Sequence, residues 1–178
     1  MPGATVNVVV LVLLGLVAAG GLVLTARGER HRGPWGAVVL TVLLAVAAAL
    51  AWVAGAPVHG LVQGETLAAV LAAVVGGGPV ATAVLRAADP AAVGVIGGPQ
   101  DPEILRVGAW IGALERAAVA ATLLAAWPEG LAIVLAVKGL GRYAELRAPA
   151  AAERFIVGTL ASGLWSVTCV GVVLLART

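Results

Sequence analysis

Three charged residues in the middle of apolar segments are the strongest candidates for chemistry in this chain. Glu115 and Arg116 are adjacent in one apolar segment, and Lys138 lies in the next. A charged side chain at the centre of a membrane helix costs about 2.5 to 3.5 kcal/mol, even on the most lenient scale. Such groups are therefore expected to face the interior of a helix bundle and to pair with one another.

Glu115 and Lys138 are the predicted pair. If their segments form an antiparallel helical hairpin, a rise of about 1.5 Å per residue places both groups about 15 Å deep, so that they can meet. Arg142 is expected to support the pair, because it follows Lys138 by one helical turn on the same face. Arg116 points about 100° away from Glu115 around the helix, so it is expected to contact the sixth helix, another subunit or a polar cavity.

Lys138 is the only lysine in a chain that otherwise uses arginine as its basic residue. Lysine can lose its proton when it is desolvated, whereas arginine in practice cannot. The cluster therefore predicts an integral membrane protein that binds or passes an ion, a proton or an anionic group. The alternative is a non-catalytic accessory or scaffold subunit, in which Glu115 and Lys138 form a structural ion pair that fixes helix register.

The composition requires that these residues be carried by transmembrane helices. Of the 178 residues, 61% are hydrophobic and 11% are charged, and the mean hydropathy is +1.07. A water-soluble fold of this length could not bury so much apolar surface. We therefore predict an all-α, polytopic transmembrane bundle forming a single domain, with room for about six helices of about 20 residues. The predicted spans are residues 5–26, 35–54, 65–85, 102–127, 128–146 and 150–176.

The third predicted span contains a run of helix-breaking residues, Gly76, Gly77, Gly78 and Pro79. This run predicts a broken or kinked helix, because proline lacks a backbone donor and clashes with the preceding turn. Backbone groups exposed there must be satisfied by protein or water, so the run could line a cavity beside Lys138 or be repaired by neighbouring helices. A re-entrant third segment, leaving five full spans, is the alternative.

The distribution of arginine predicts six spans with both termini outside, because short loops rich in Lys and Arg stay in the cytoplasm. This arrangement places on the cytoplasmic side Arg27, Arg30, Arg32, Arg86, Arg106, Arg142, Arg147 and Arg154. Four residues of this side, Arg106, Arg147, Arg154 and Glu153, form a predicted basic collar. The collar could bind anionic lipid headgroups or an acidic partner, or its charges could serve only to orient the helices.

Several classes of function are excluded by what the sequence lacks. His59 and Glu65 have no second His or Cys nearby, so no metal site is predicted, and no cofactor is expected. The residue types needed for acid-base or nucleophilic catalysis are largely missing, so we do not expect an enzyme. A membrane-embedded enzyme acting on lipid is the minority alternative. A net charge of +2 gives no reason to expect nucleic acid. The expected partners are the lipid bilayer and either further copies of the chain or another membrane protein.

Three motifs in the C-terminal half resemble those of a known family. They are Ile111 to Arg116 (IGALER), Lys138 to Leu146 (KGLGRYAEL) and Glu153 to Ser162 (ERFIVGTLAS). Over residues 105–165 they resemble a bacterial inner-membrane family known as a domain of unknown function, with the motifs IGxLER, KxxxR and ExFxIGTxxS. The resemblance implies a bacterial inner-membrane location. It also points to the residues Glu115, Arg116, Lys138, Arg142 and Glu153.

Overall fold

The protein is all-α, as the composition predicted. The computed structural model describes residues 2–27, 34–54, 60–89, 102–175 and 177, and it contains no strand within these ranges. The helices are α1 (Pro2–Ala26), α2 (Pro34–Ala54), α3 (Val62–Ala88), α4 (Pro102–Leu124), α5 (Glu129–Gly141) and α6 (Pro149–Leu175), with a 3₁₀ turn at Glu145–Arg147.

Four of these helices are long and apolar enough to cross a membrane: α1, α2, α3 and α6. Helix α4 has 23 residues, but two of them near its middle, Glu115 and Arg116, are charged. Helix α5 has only 13 residues, which corresponds to about 20 Å and is less than the hydrocarbon thickness of about 30 Å. The described helices therefore support a membrane protein with at least four candidate spans.

Two predicted helix ends in this region differ from the structure. Helix α4 ends at Leu124 rather than at residue 127, because Ala126 adopts a left-handed conformation with φ of 52°. The amide of Trp127 then donates to the Thr122 carbonyl at 2.9 Å, which caps the end of the helix. Glycine is the usual left-handed residue in such a cap, and here Ala126 takes its place. Helix α5 ends at Gly141 rather than at residue 146, because Arg142 leaves the helical region with φ of −115° and ψ of 12°.

Helix α3 is the central element of the bundle and packs against α1, α2, α4 and α6. Its buried face is made of small residues, which lets the neighbouring backbones approach closely. Those residues include Ala68, Ala69, Ala72, Ala73, Gly76 and Gly77. Large apolar side chains instead lie exposed on the outside of the bundle, as at Val12, Leu16, Val42 and Leu160. This distribution suits a protein surrounded by lipid.

The predicted break in the third helix is not found. Helix α3 continues without interruption through Gly76, Gly77, Gly78 and Pro79, and its 27 residues span about 40 Å. Two half-helices entering and leaving on one side therefore do not describe this segment. The reason is that neighbouring helices supply contacts to the backbone that proline and glycine would otherwise leave weakened, as the site geometry shows.

Candidate functional site

The predicted pair between Glu115 and Lys138 is confirmed. The ammonium of Lys138 on α5 donates to Oε2 of Glu115 on α4, and the two side chains are 17% and 18% exposed. The ammonium also lies 5.9 Å from the centre of the Phe155 ring on α6, within the range of a cation–π interaction. The charge of Lys138 is therefore matched by a carboxylate and shielded by an aromatic ring, and the pair links α5 to α4.

Arg142 is the C-cap of α5, directly after Gly141, and its side chain is exposed. It lies at the end of the helix, one turn after Lys138 in sequence. The expected support of the Glu115 and Lys138 pair by Arg142 stays a prediction.

Arg116 points into the bundle and not towards the pair. Only 8% of this residue is exposed, and its Nε donates to the Val74 carbonyl of α3 at 2.8 Å. A second, longer contact runs from Nη1 to Oγ of Ser162 on α6, at 3.4 Å. Of the three alternatives that the sequence left open, the structure shows contact with the sixth helix, together with α3. No carboxylate among the described residues forms an ion pair with this guanidinium.

Side chains from three neighbouring helices lie against carbonyl groups in one stretch of α3, those of Ala72, Val74 and Val75. The Nε1–H of Trp165 on α6 donates to the Ala72 carbonyl at 3.0 Å, two residues before the Val74 carbonyl that accepts from Arg116. The next carbonyl, that of Val75, lies four residues before Pro79, so it lacks the amide donor that an α-helix normally provides. The hydroxyl of Thr25 on α1 lies 3.4 Å from that oxygen and 2.8 Å from the Gly21 carbonyl. The polar side chains of the neighbours thus cover the weakened part of α3.

The glycine run of α3 is the surface on which these side chains dock. A Cβ added at Gly76 would lie 2.6 Å from the Trp165 ring, and one at Gly77 would lie 2.3 Å from Cδ of Arg116. By contrast, a Cβ at Gly78 would meet only Nη2 of Arg116, at an ordinary 3.8 Å. Two of the three glycines are therefore required by close packing. At these two glycines, the space that a side chain would take is filled by Trp165 and Arg116.

The structure describes the side chains of three members of the predicted basic collar, Arg147, Arg154 and Glu153. Arg154 forms an ion pair with Asp89 at the end of α3, with Nη2 and Oδ2 2.7 Å apart. Arg147 is exposed and lies 5.9 Å from the centre of the Tyr143 ring, and Glu153 is also exposed. The side chain of Arg106 lies outside the described part of the chain, as do residues Arg30 and Arg32.

Four polar residues of the interior gained importance only from the structure. Ser162 and Trp165 contact Arg116 and α3, while Asn7 and Glu65 are each 1% exposed. A sequence signal existed for Asn7 and Glu65, since both are polar residues inside apolar helical segments. The sequence gives no signal for Trp165, because a tryptophan in the core cannot be told from one at the membrane–water interface by residue type alone. Within the described residues, no group of three His, Cys, Asp or Glu is placed to hold a metal ion.

No protein-family model matches this chain, and no curated protein or solved structure does so either.

Proposed function

We propose that the chain is an integral membrane protein that binds an anionic group at Arg116, between α3, α4 and α6. One observation carries this proposal: Arg116 is 8% exposed and forms no ion pair with any described carboxylate. Glu115 forms its ion pair with Lys138, so Arg116 has no carboxylate in direct contact among the described residues. A charge buried without a counter-charge is costly, and a bound anion would supply the missing one.

The geometry around Arg116 suits recognition of a small inorganic anion or a phosphate group. A guanidinium has five N–H donors in a planar fork, and Nε alone is engaged at short distance, by Val74. Gly78 and Gly112 lie beside the two terminal nitrogens, where a Cβ would come within 3.8 Å and 3.1 Å of them. The two terminal nitrogens therefore lie against backbone that carries no side chain. The hydroxyl of Ser162 provides a further polar group at the same place.

The second candidate function is a non-catalytic scaffold subunit. The direct contact between Lys138 and Glu115 favours it, because an ion pair that is already formed needs no ligand. In this proposal the pair fixes α5 against α4, and the protein acts through another membrane subunit. The two candidates differ at Arg116, which has a counter-ion in the first and none in the second.

The proposed arrangement in the membrane keeps the six crossings and both outer termini of the sequence analysis, in a bacterial inner membrane. Helix α5 and the following 3₁₀ turn together would return the chain to the cytoplasmic side. Helix α5 exposes a row of large apolar side chains to lipid or to a second subunit, which supports an oligomer. That row is formed by Ile133, Val137 and Leu140, which are spaced by four and three residues.

The test is thermal unfolding of the purified full chain in nanodiscs of neutral lipid. Sodium chloride and sodium phosphate are compared with sodium gluconate at equal ionic strength, and a parallel sample contains phosphatidylglycerol. A ligand that binds only the folded state stabilises it by about 2.7 kcal/mol at 100 times its dissociation constant, so the unfolding midpoint rises. We expect chloride, phosphate or the anionic lipid to raise the midpoint of the wild type.

The variants assign this effect to one residue. Arg116→Gln should abolish the rise, and Arg116→Lys should weaken it because the charge remains without the planar fork. Arg147→Gln should leave the rise with chloride and with phosphate unchanged. If the wild type responds to none of the three anions, or if Arg116→Gln responds like the wild type, anion binding at Arg116 is refuted. The scaffold role would then be the better proposal.

A further inference from the structure

A second polar site lies in the core, away from Arg116. Asn7 on α1 and Glu65 on α3 are each only 1% exposed. The side-chain atoms Nδ2 of Asn7 and Oε1 of Glu65 are buried and meet no hydrogen-bond partner among the described residues. Val74, the carbonyl partner of Arg116, follows Glu65 by nine residues, or about 14 Å along α3. The two sites are therefore separate.

Asn7 and Glu65 belong to the same end of the bundle. A Cβ at Gly64 would lie 3.6 Å from the Leu11 side chain, and one at Gly21 would lie 2.8 Å from the Gly76 backbone. The contact that lies later in α1 also lies later in α3, so the two helices are parallel neighbours. Asn7 is in the second turn of α1 and Glu65 is in the first turn of α3. Each is thus close to the beginning of its helix, on a buried face.

The form of Glu65 that fits this environment is the neutral acid. Burying a polar atom without a hydrogen bond costs about 1 to 3 kcal/mol, and an unpaired carboxylate costs considerably more. A carboxyl group that carries its proton removes the charge and gains a donor, and an amide such as that of Asn7 can both donate and accept. An asparagine in the same end of the core is therefore a suitable neighbour for a protonated carboxyl group.

The surroundings also contain what would stabilise the ionised form. Arg177, which follows α6, donates from Nη2 to the hydroxyl of Thr66 at 2.8 Å, next to Glu65 in sequence. The first turn of a helix favours negative charge as well. The other titratable group of the adjoining core is the buried thiol of Cys169 on α6, and α2 contributes the apolar Ala47 and Ala51. Arg116 is the buried charge on α4, two to three turns away.

We propose that Glu65 and Asn7 form a proton-binding site that exchanges with water at the end of the bundle marked by Arg177. The Glu65 carboxyl group carries one proton while it is enclosed by α1, α3 and α6. When that proton leaves for water, the O–H bond breaks and the carboxylate keeps the electron pair. Arg177 then lies close enough to balance the charge. The site requires neither the anion at Arg116 nor the pair at Lys138.

The experiment is infrared difference spectroscopy of the full chain in neutral lipid, recorded as a pH titration. A protonated carboxylic acid has a carbonyl band distinct from that of a carboxylate. We expect such a band at neutral pH in the wild type, and its complete loss in Glu65→Gln. Glu129→Gln, which changes an exposed glutamate, should keep the band. Asn7→Leu should shift its frequency, and transfer to heavy water should shift it too, since the proton exchanges.

Two variants keep the proposal refutable. Glu65→Asp retains a carboxyl group, so it should retain a band at a changed frequency even if Glu65→Gln folds poorly. Arg177→Gln tests the alternative in which Glu65 is ionised and paired with Arg177. If the wild type has no Glu65-dependent band at neutral pH and one appears only in Arg177→Gln, the proton-binding site is overturned.

Discussion

Replacing Gly77 with alanine should destabilise the bundle, because the added methyl group would overlap with the Arg116 side chain. The new Cβ would lie 2.3 Å from Cδ of Arg116 and 3.1 Å from the Trp165 ring. Cδ lies in the middle of the arginine side chain, so the chain cannot move aside without moving its guanidinium. The 2.8 Å hydrogen bond from Nε to the Val74 carbonyl would then be lost.

The size of the effect follows from three contributions. Overpacking costs about 1 to 3 kcal/mol, and losing a hydrogen bond to a charged donor costs about 1.5 to 3 kcal/mol. Alanine returns about 1 kcal/mol, because it is a better helix former than glycine. The expected net loss for Gly77→Ala is therefore about 2 to 5 kcal/mol in the free energy of unfolding.

The matched control is the next glycine in the sequence. A Cβ at Gly78 would meet only Nη2 of Arg116 at 3.8 Å, an ordinary contact. Gly78→Ala should therefore lie within about 1 kcal/mol of the wild type, because only the helix-forming tendency changes. Reversible unfolding in mixed micelles with increasing dodecyl sulfate measures both variants. Equal stability of the two would refute the idea that Arg116 is seated on the glycine run.

Four further changes test other contacts by the same unfolding measurement. Lys138→Met should cost about 1 to 3 kcal/mol because it leaves the Glu115 carboxylate unpaired, and adding Glu115→Gln should recover most of that loss; purely additive effects would argue against the pair. Trp165→Phe should cost about 0.5 to 1.5 kcal/mol, the value of its hydrogen bond to α3, and no loss would mean that the bond is unimportant. Ala126→Gly should stabilise by about 1 kcal/mol, since a left-handed residue favours glycine, and a loss would contradict the assigned helix end. Asp89→Asn should change stability by at most about 1 kcal/mol, because the ion pair with the arginine of α6 is partly exposed, and the change should shrink in high salt; a larger effect, insensitive to salt, would count against this assignment.

The bounds of a helix could be predicted from the sequence where one sequence signal was much stronger than the others. The second helix was expected at residues 35–54 and is observed at Pro34–Ala54, because a proline precedes an uninterrupted apolar run. The end of α4 was not predictable, because its left-handed residue is Ala126 and not a glycine. Nothing in an alanine-rich sequence marks such a residue as the end of a helix.

In the candidate site, the side-chain pair could be predicted from the sequence, but the contacts between side chains and the backbone of α3 could not. Glu115 and Lys138 could be paired from depth alone, because unlike charges in apolar helices must meet. The acceptor of Arg116 is a carbonyl group of Val74, and every residue has a carbonyl group. The glycines of α3 were interpreted as a break because glycine weakens an isolated helix. In the bundle their missing side chains make room for Arg116 and Trp165.

The contact of Arg116 with α3 also has a consequence for how the chain is inserted into the membrane. A segment with an arginine near its centre enters lipid at a cost of about 2.5 to 3.5 kcal/mol for that residue. Helix α3 is made first, and its Val74 carbonyl is then available to receive Nε as α4 leaves the insertion machinery. We therefore expect α4 to partition into the bilayer together with α3, and to insert poorly when it is presented without it.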